Sequence, residues 1–339
     1  MSSGRVSVVN GGLRLDGRPW WPAGLDAYQL ATDWSVNRGC GAQVDLDRYF
    51  AALPPNSLTR FDAFESLATD KTTGGRNWSP IDAVFAAAAR HRQWVIPVLT
   101  AQDGACEDEV FKEYDWYADG WRHRPHGSAA SFRDWVAAAV ERWRSAPALA
   151  AWELVGEPET SMCATGTGGS RERICPPDAA RVLRNFMDEA GAVVRQLAPG
   201  QLITAGLLGG GQCGSAADDY GYLAESPNVD IVQYHDYGAD GIPLPGDRWN
   251  GLARRIEQST AAGTALLVGE IGQYCDGSPA ALDRRAADIE RKITGQRAAG
   301  TAGALLWAFV PDPRTGLPTY DIGPTDPLFD VLRRHNTAP

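Results

Sequence analysis

Apolar positions along the chain follow two alternating periods. Short apolar runs recur at residues 20–25, 57–61, 94–100, 148–157, 202–208, 229–235, 264–270 and 303–310. Between them lie longer stretches whose apolar residues repeat every three or four positions, the spacing of a helix with one buried face. These stretches cover residues 44–53, 81–91, 130–144, 178–197, 251–262, 279–299 and 328–334. The stretch 178–197 is the clearest, with Val182, Leu183, Phe186, Met187, Ala190, Val193 and Val194 on one face. Strands alternating with helices imply a parallel sheet covered by helices. About eight such units predict an α/β fold of the closed (β/α)8 barrel type. A short hairpin at residues 13–19 is expected to cap the start. No Pro/Ser/Gly linker divides the chain, so residues 1–339 are expected to form a single domain.

Composition narrows the chemistry. The chain of 339 residues carries a formal net charge of −10, which disfavours a nucleic-acid partner. No apolar run approaches the 18 residues needed for a membrane-spanning helix, so no membrane insertion is expected. Six cysteines (Cys40, Cys106, Cys163, Cys175, Cys213 and Cys275) include no C-x-x-C pair, and His is scarce at five. A metal site is therefore not expected, and neither is a cofactor. The cysteines fall in expected loops, which favours disulfides in a secreted or cell-envelope protein. The visible start, Met1-Ser2-Ser3-Gly4-Arg5, has no apolar signal segment, so cytoplasmic free thiols are the alternative. A monomer is expected.

In a barrel of this kind, chemistry sits at the C-terminal ends of the strands. Those ends carry Asp26, Arg60, Thr100, Glu157, Leu208, His235, Glu270 and Trp307. Glu157 is followed by Pro158, which removes a donor and biases the preceding residue away from helix. The fourth run is therefore expected to stop there, with Glu157 at its tip. Glu270 closes the seventh run, Leu266-Leu267-Val268-Gly269-Glu270. The fourth and seventh strands of an eight-stranded barrel face each other across its mouth. Two facing carboxylates equip a site for glycoside hydrolysis, one as acid/base and one as nucleophile. Arg60 and Tyr237 are candidates to hold Glu270 anionic, His235 to contact Glu157, and Trp307 to lie under a sugar ring. Glu153 shares the facing of Glu157 and is placed in the barrel interior. The long stretch 101–128, with Trp116 among several aromatics, is a candidate substrate platform.

One rival motif is present. Gly209, Gly211 and Gly214 form G-x-G-x-x-G after a strand, but Ser215-Ala216-Ala217 follows in place of a strong helix start. A dinucleotide site requires that helix.

These motifs, in order, resemble the clan A glycoside hydrolases, most closely the endo-β-mannanase-like members of family five. The resemblance runs from about Leu13 to Phe309. Gly24-Leu25-Asp26-Ala27-Tyr28, Thr59-Arg60-Phe61, Trp152-Glu153-Leu154-Val155-Gly156-Glu157-Pro158, His235-x-Tyr237, Gly269-Glu270 and Trp307 carry it. It implies retaining hydrolysis of a β-linked oligo- or polysaccharide, first of all mannan, with Glu157 as acid/base and Glu270 as nucleophile. Two positions depart from the pattern. The family has Asn before the acid/base, where its amide contacts the sugar 2-hydroxyl; here that residue is Gly156. A His common at the end of strand three is replaced by Thr100-Ala101-Gln102. Asp26 or Gln102 is a candidate to supply the missing contact. An exo-acting furanosidase, such as a β-galactofuranosidase, is the alternative substrate reading. A catalytically silent glycan-binding barrel is the alternative of another class.

Overall fold

The computed structural model describes residues 5–123, 130–165 and 171–336. Its centre is a closed barrel of eight parallel strands: β4 (Ala23–Asp26), β5 (Leu58–Asp62), β6 (Trp94–Val98), β7 (Ala151–Glu153), β10 (Leu202–Ala205), β11 (Ile231–Asp236), β12 (Ala265–Ile271) and β13 (Gly303–Leu306). β13 pairs back onto β4, so no sheet edge remains among the barrel strands. All eight expected strands are present and in the expected order.

Three further strands, β1 (Val6–Val9), β2 (Gly12–Leu15) and β3 (Arg18–Pro19), form an antiparallel sheet at the start. The expected hairpin thus gains a third strand. Leu13, Leu15 and Trp20 pack with Trp94, Ile96, Leu267 and Leu305 in one apolar cluster. This plugs the N-terminal end of the barrel and leaves the opposite end for chemistry.

The outer layer holds α1 (Leu46–Ala52), α2 (Ser79–Arg90), α4 (Phe132–Trp143), α5 (Ala179–Leu197), α7 (Leu252–Ala262), α8 (Pro279–Ala299) and α9 (Leu328–His335). Their caps follow the local sequence. Asp45 accepts from the Arg48 amide at the start of α1, and Ser131 from the Asp134 amide at the start of α4. Gly263 and Gly300 end α7 and α8 in the left-handed conformation that glycine adopts without a Cβ penalty.

Two expected loops contain structure of their own. The stretch 101–128 includes α3 (Tyr114–Ala118), and 161–177 includes the hairpin β8 (Met162–Thr165) with β9 (Arg171–Ile174). Residues 124–128 of the first and 166–170 of the second lie outside the described residues. A short α6 (Asp219–Ala224) follows the glycine-rich turn after β10. Two disulfides join mouth loops: Cys40–Cys106 links the loops after β4 and β6, and Cys175–Cys213 those after β7 and β10. Cys163 and Cys275 belong to neither. Among the described residues no helix is long and apolar enough to cross a membrane.

Candidate active site

The fourth barrel strand ends earlier than its apolar run suggests. β7 stops at Glu153, and Glu157 stands four residues further on with φ 58°. A non-glycine residue in that left-handed region persists only where its surroundings fix it. Here they do. The Gly156 amide donates to Thr100 O at 2.9 Å, and the Glu157 amide to Gly206 O at 2.8 Å. Gln102 clamps the far side. Its Oε1 accepts from the Glu159 amide at 2.8 Å, and its Nε2 donates to Glu159 O at 2.9 Å. The Gln102 amide is therefore spent on backbone and on the hydroxyl of Tyr117.

The seventh strand presents Glu270 through a bulge. Tyr234 pairs with Val268 and His235 with Glu270, which leaves Gly269 unopposed. An extra residue re-aims the side chain that follows it. Glycine is required there, because a Cβ at 269 would sit 1.9 Å from Gln233 Oε1.

These two placements bring the carboxylates together. Glu157, His235 and Glu270 each offer a ligand-type atom, all within 4.8 Å of one another. His235 lies between, its Nδ1 2.6 Å from Glu157 Oε1 and 3.4 Å from Glu270 Oε1. Arg60 Nη1 donates to Glu270 Oε1 at 2.9 Å and to Asp26 Oδ1 at 3.1 Å. The Tyr237 hydroxyl donates to Glu270 Oε2. The indole of Trp307 is half-buried and stacks on Tyr28, with centroids 5.6 Å apart.

A buried chain joins the two glutamates from behind. Arg60 grips Glu153 with two bonds, Nη2 to Oε1 at 2.7 Å and Nε to Oε2 at 2.9 Å. Gln233 Nε2 donates to Glu153 Oε2 at 2.6 Å. That fixes the amide, so Gln233 Oε1 faces His235 Nε2 at 3.2 Å. The series Glu157–His235–Gln233–Glu153–Arg60–Glu270 is continuous. Gly206 makes room for it, since a Cβ there would lie 2.1 Å from Glu153 Oε1. Gly156 has a similar neighbour: a Cβ would stand 3.0 Å from Arg60 Nη2. The place where the resemblance expects an asparagine side chain is thus crowded by the arginine.

The charges follow from this geometry. Burial pushes Glu270 above the usual carboxylate range, with His235 and Arg60 opposing it. Burial also acts on Glu157, but the His235 hydrogen bond and charge outweigh it and hold Glu157 low. Burial lowers the His235 imidazolium, yet the charge of Glu270 and the bond to Glu157 win and raise it. Both shifts favour the charged pair, imidazolium beside carboxylate. Asp26 is driven well up by burial despite Arg60, and its Oδ2 has no partner among the described residues.

Trp116 lies elsewhere. It packs against Phe132, Phe186 and Tyr117 and lines a separate cavity of about 560 Å³ with Thr100, Glu107 and Lys112. None of the central glutamates borders that cavity.

Gln233, Lys292 and Gln296 were not among the sequence candidates. Gln233 was legible in principle, being two residues before His235 on a strand and so on the same face. Lys292 and Gln296, one turn apart on α8, reach Asp236 at 2.8 and 2.7 Å. Their signal was weak: they stand beside Ile289 and Ile293 on a helix face that also buries Arg285 and Asp288.

The fold and site together define a (β/α)8 barrel with two carboxylates converging at its C-terminal mouth. Comparison with known proteins agrees with the resemblance read from the motifs. No protein-family model matches the chain. Mannan endo-1,4-beta-mannosidase F of Aspergillus clavatus is 24% identical over 241 residues, which cover 64% of this chain and 50% of the relative. A probable mannan endo-1,4-beta-mannosidase C of Aspergillus terreus is 27% identical over 275 residues, 69% of this chain and 64% of the relative. The chain spans about half the length of the first of these. Among solved structures, the endo-1,4-beta-mannanase of Rhizomucor miehei superposes with a TM-score of 0.70 at 15% identity, covering 98% of each chain. In sequence the chain is similar to mannan endo-1,4-beta-mannosidases, and in fold to an endo-1,4-beta-mannanase and a glycoside hydrolase family 5 mannosidase of Rhizomucor miehei.

Proposed function

We propose that this chain is a retaining glycoside hydrolase acting on a β-linked mannan or a related β-1,4-linked hexan. Glu270 is the nucleophile and Glu157 the acid/base. The observation that carries this reading is the approach of the two carboxylates to within 4.8 Å between oxygens. Retaining enzymes hold their carboxyl groups about 5–5.5 Å apart, while inverting ones leave about 6.5–9.5 Å for a water. The names of the sequence relatives support mannan as the substrate.

In the first step a Glu270 oxygen attacks the anomeric carbon, and the bond from that carbon to the leaving oxygen breaks. The leaving oxygen takes the proton held between His235 and Glu157. Attack consumes the negative charge on Glu270, the largest influence raising His235. His235 then gives up its proton toward Glu157 as the leaving oxygen gains basicity, so proton delivery is timed by bond formation. In the second step water attacks the glycosyl ester, Glu157 accepts its proton, and Glu270 is released as carboxylate. Arg60 and Tyr237 hold Glu270 in position throughout, and Trp307 offers an apolar face to the ring. Asp26, whose Oδ2 has no partner among the described residues, is the group available for the hydroxyl contact that Gly156 does not make. The carbohydrate itself is the partner, and the reaction needs no cofactor.

The test is proton NMR of the first sugar released from manno-oligosaccharides, with Glu270→Gln as control. The β-anomer should form first, and the variant should release none. An α-anomer as first product would refute the double displacement. Gly156 favours one second reading, a furanosidase, which aryl furanosides tested in parallel would reveal. Binding without turnover of any glycoside would instead indicate a silent glycan-binding barrel. The two disulfides support export, because such bonds persist mainly in oxidising compartments.

A further inference from the structure

A row of tyrosines leads outward from Glu270. The first is Tyr237, bonded to that carboxylate. Its ring meets Tyr320 edge-on at 5.2 Å, and Tyr320 stacks on Tyr274 at 4.1 Å with planes 21° apart. Tyr274 is 62% exposed although one face is covered by Tyr320, so its other face is open to solvent.

The row is held in place by backbone. Cys275 and Thr319 exchange two hydrogen bonds, Cys275 N to Thr319 O at 2.8 Å and Thr319 N to Cys275 O at 2.9 Å. The Ala308 amide donates to Tyr320 O at 3.2 Å, and the Ile322 amide returns to Ala308 O at 2.9 Å. The loops after β12 and β13 are thereby zipped together with Tyr274 and Tyr320 on adjoining positions. Gly272 seats the first ring, because a Cβ there would lie 2.2 Å from Tyr237. This stack fixes an aromatic face and leaves it bare.

Position on the barrel gives the face a direction. Tyr274 and Tyr320 follow the seventh and eighth strands, whereas Glu157 follows the fourth, across the mouth. The leaving group must lie on the Glu157 side. We propose that the Tyr274–Tyr320 stack is a binding subsite for a pyranose ring of the substrate on the non-reducing side of the cleaved bond, remote from the reacting carbon. Aromatic rings present a flat apolar surface that matches the C–H face of a sugar, with the phenol hydroxyl available to its edge. The inference rests on the glycosidase reading above, since it needs a glycan in the site.

The test uses Glu270→Gln protein, which holds substrate without turning it over, with and without Tyr274→Ala. Calorimetric titration with manno-oligosaccharides of two to six units should show affinity rising with length in the parent. Tyr274→Ala should lose about tenfold for the longest sugar. The shortest sugar should bind alike in both, Tyr274→Phe should restore the difference, and the melting temperature should not move. In the otherwise wild-type enzyme, Tyr274→Ala should lower kcat/KM for the hexamer by a larger factor than for the dimer. Equal length dependence in parent and Tyr274→Ala overturns the subsite and leaves the glycosidase reading intact. A parent that binds no manno-, gluco- or xylo-oligosaccharide overturns both.

Discussion

Replacing Arg60 with methionine tests the buried network most directly. The guanidinium makes four hydrogen bonds to three carboxylates, those of Asp26, Glu153 and Glu270, and all four side chains are almost wholly buried. Methionine fills much of the volume and supplies no donor. Breaking a buried ion pair leaves an uncompensated charge and costs about 3–5 kcal/mol, a large part of the roughly 5–15 kcal/mol that holds a typical protein folded. The deficit should depend on pH, with a definite sign. Burial already raises Asp26 and Glu270 against the pull of Arg60. Without Arg60 their folded pKa values rise further above the unfolded ones. Such groups contribute stability below the unfolded pKa and lose it as pH climbs through the folded pKa. The variant should therefore lag the wild type most near ~pH 8 and least near ~pH 4. Urea unfolding of both proteins across that range measures this, with the m value checking that the transition is comparable. A difference below ~1 kcal/mol that does not vary with pH would refute the reasoning, because that is how an exposed ion pair behaves.

Other outcomes follow from the same geometry. The pH profile of kcat/KM should be a bell set by the coupled site. Its acid limb should lie above 4.5, because Glu270 must be ionised and is raised; its basic limb should lie above 6.5, because the raised His235 must keep its proton. An acid limb at or below 4.5 contradicts the buried nucleophile. Tyr237→Phe removes a hydrogen bond to a charged group, worth about 1.5–3 kcal/mol, so kcat/KM should fall about 10- to 150-fold and the acid limb should move up. Unchanged kinetics would mean that the hydroxyl does not support Glu270. Gly156→Ala forces a carbon to 3.0 Å from Arg60 Nη2, and a locked arginine cannot retreat cheaply. A loss of about 1–3 kcal/mol in urea unfolding is expected, and an unshifted midpoint would show that Arg60 has room to spare.

Much of this site was legible as a list. Glu157, Glu270, Arg60, His235 and Tyr237 stand out because ionisable groups at the ends of apolar runs are costly without a partner. The list did not contain their connections. Glu153 reads as an interior residue and Gln233 as an ordinary strand residue, but their partners appear only when the barrel closes and places β5, β7 and β11 side chains in one interior. Trp116 looks like a sugar platform in a long aromatic stretch, but α3 turns it onto Phe186, because that ring offers more apolar contact than solvent does. Lys292 and Gln296 sit on the buried face of α8, and only packing against β11 shows that both donate to Asp236.

The sequence by itself determined the barrel, because two hydrophobic periods in strict alternation admit few other layers. It determined which residues stand at the mouth, because strand direction is the same in every βα unit. The tertiary structure decided what those residues do to one another. A bulge at Gly269 and a left-handed turn at Glu157 set the distance between the carboxylates, and neither is a periodic feature. The charge states depend on burial and on contacts between residues as many as 210 positions apart, as with Arg60 and Glu270. Such contacts have no local signal, since each residue's own neighbours carry no record of which distant partner the closed barrel will bring.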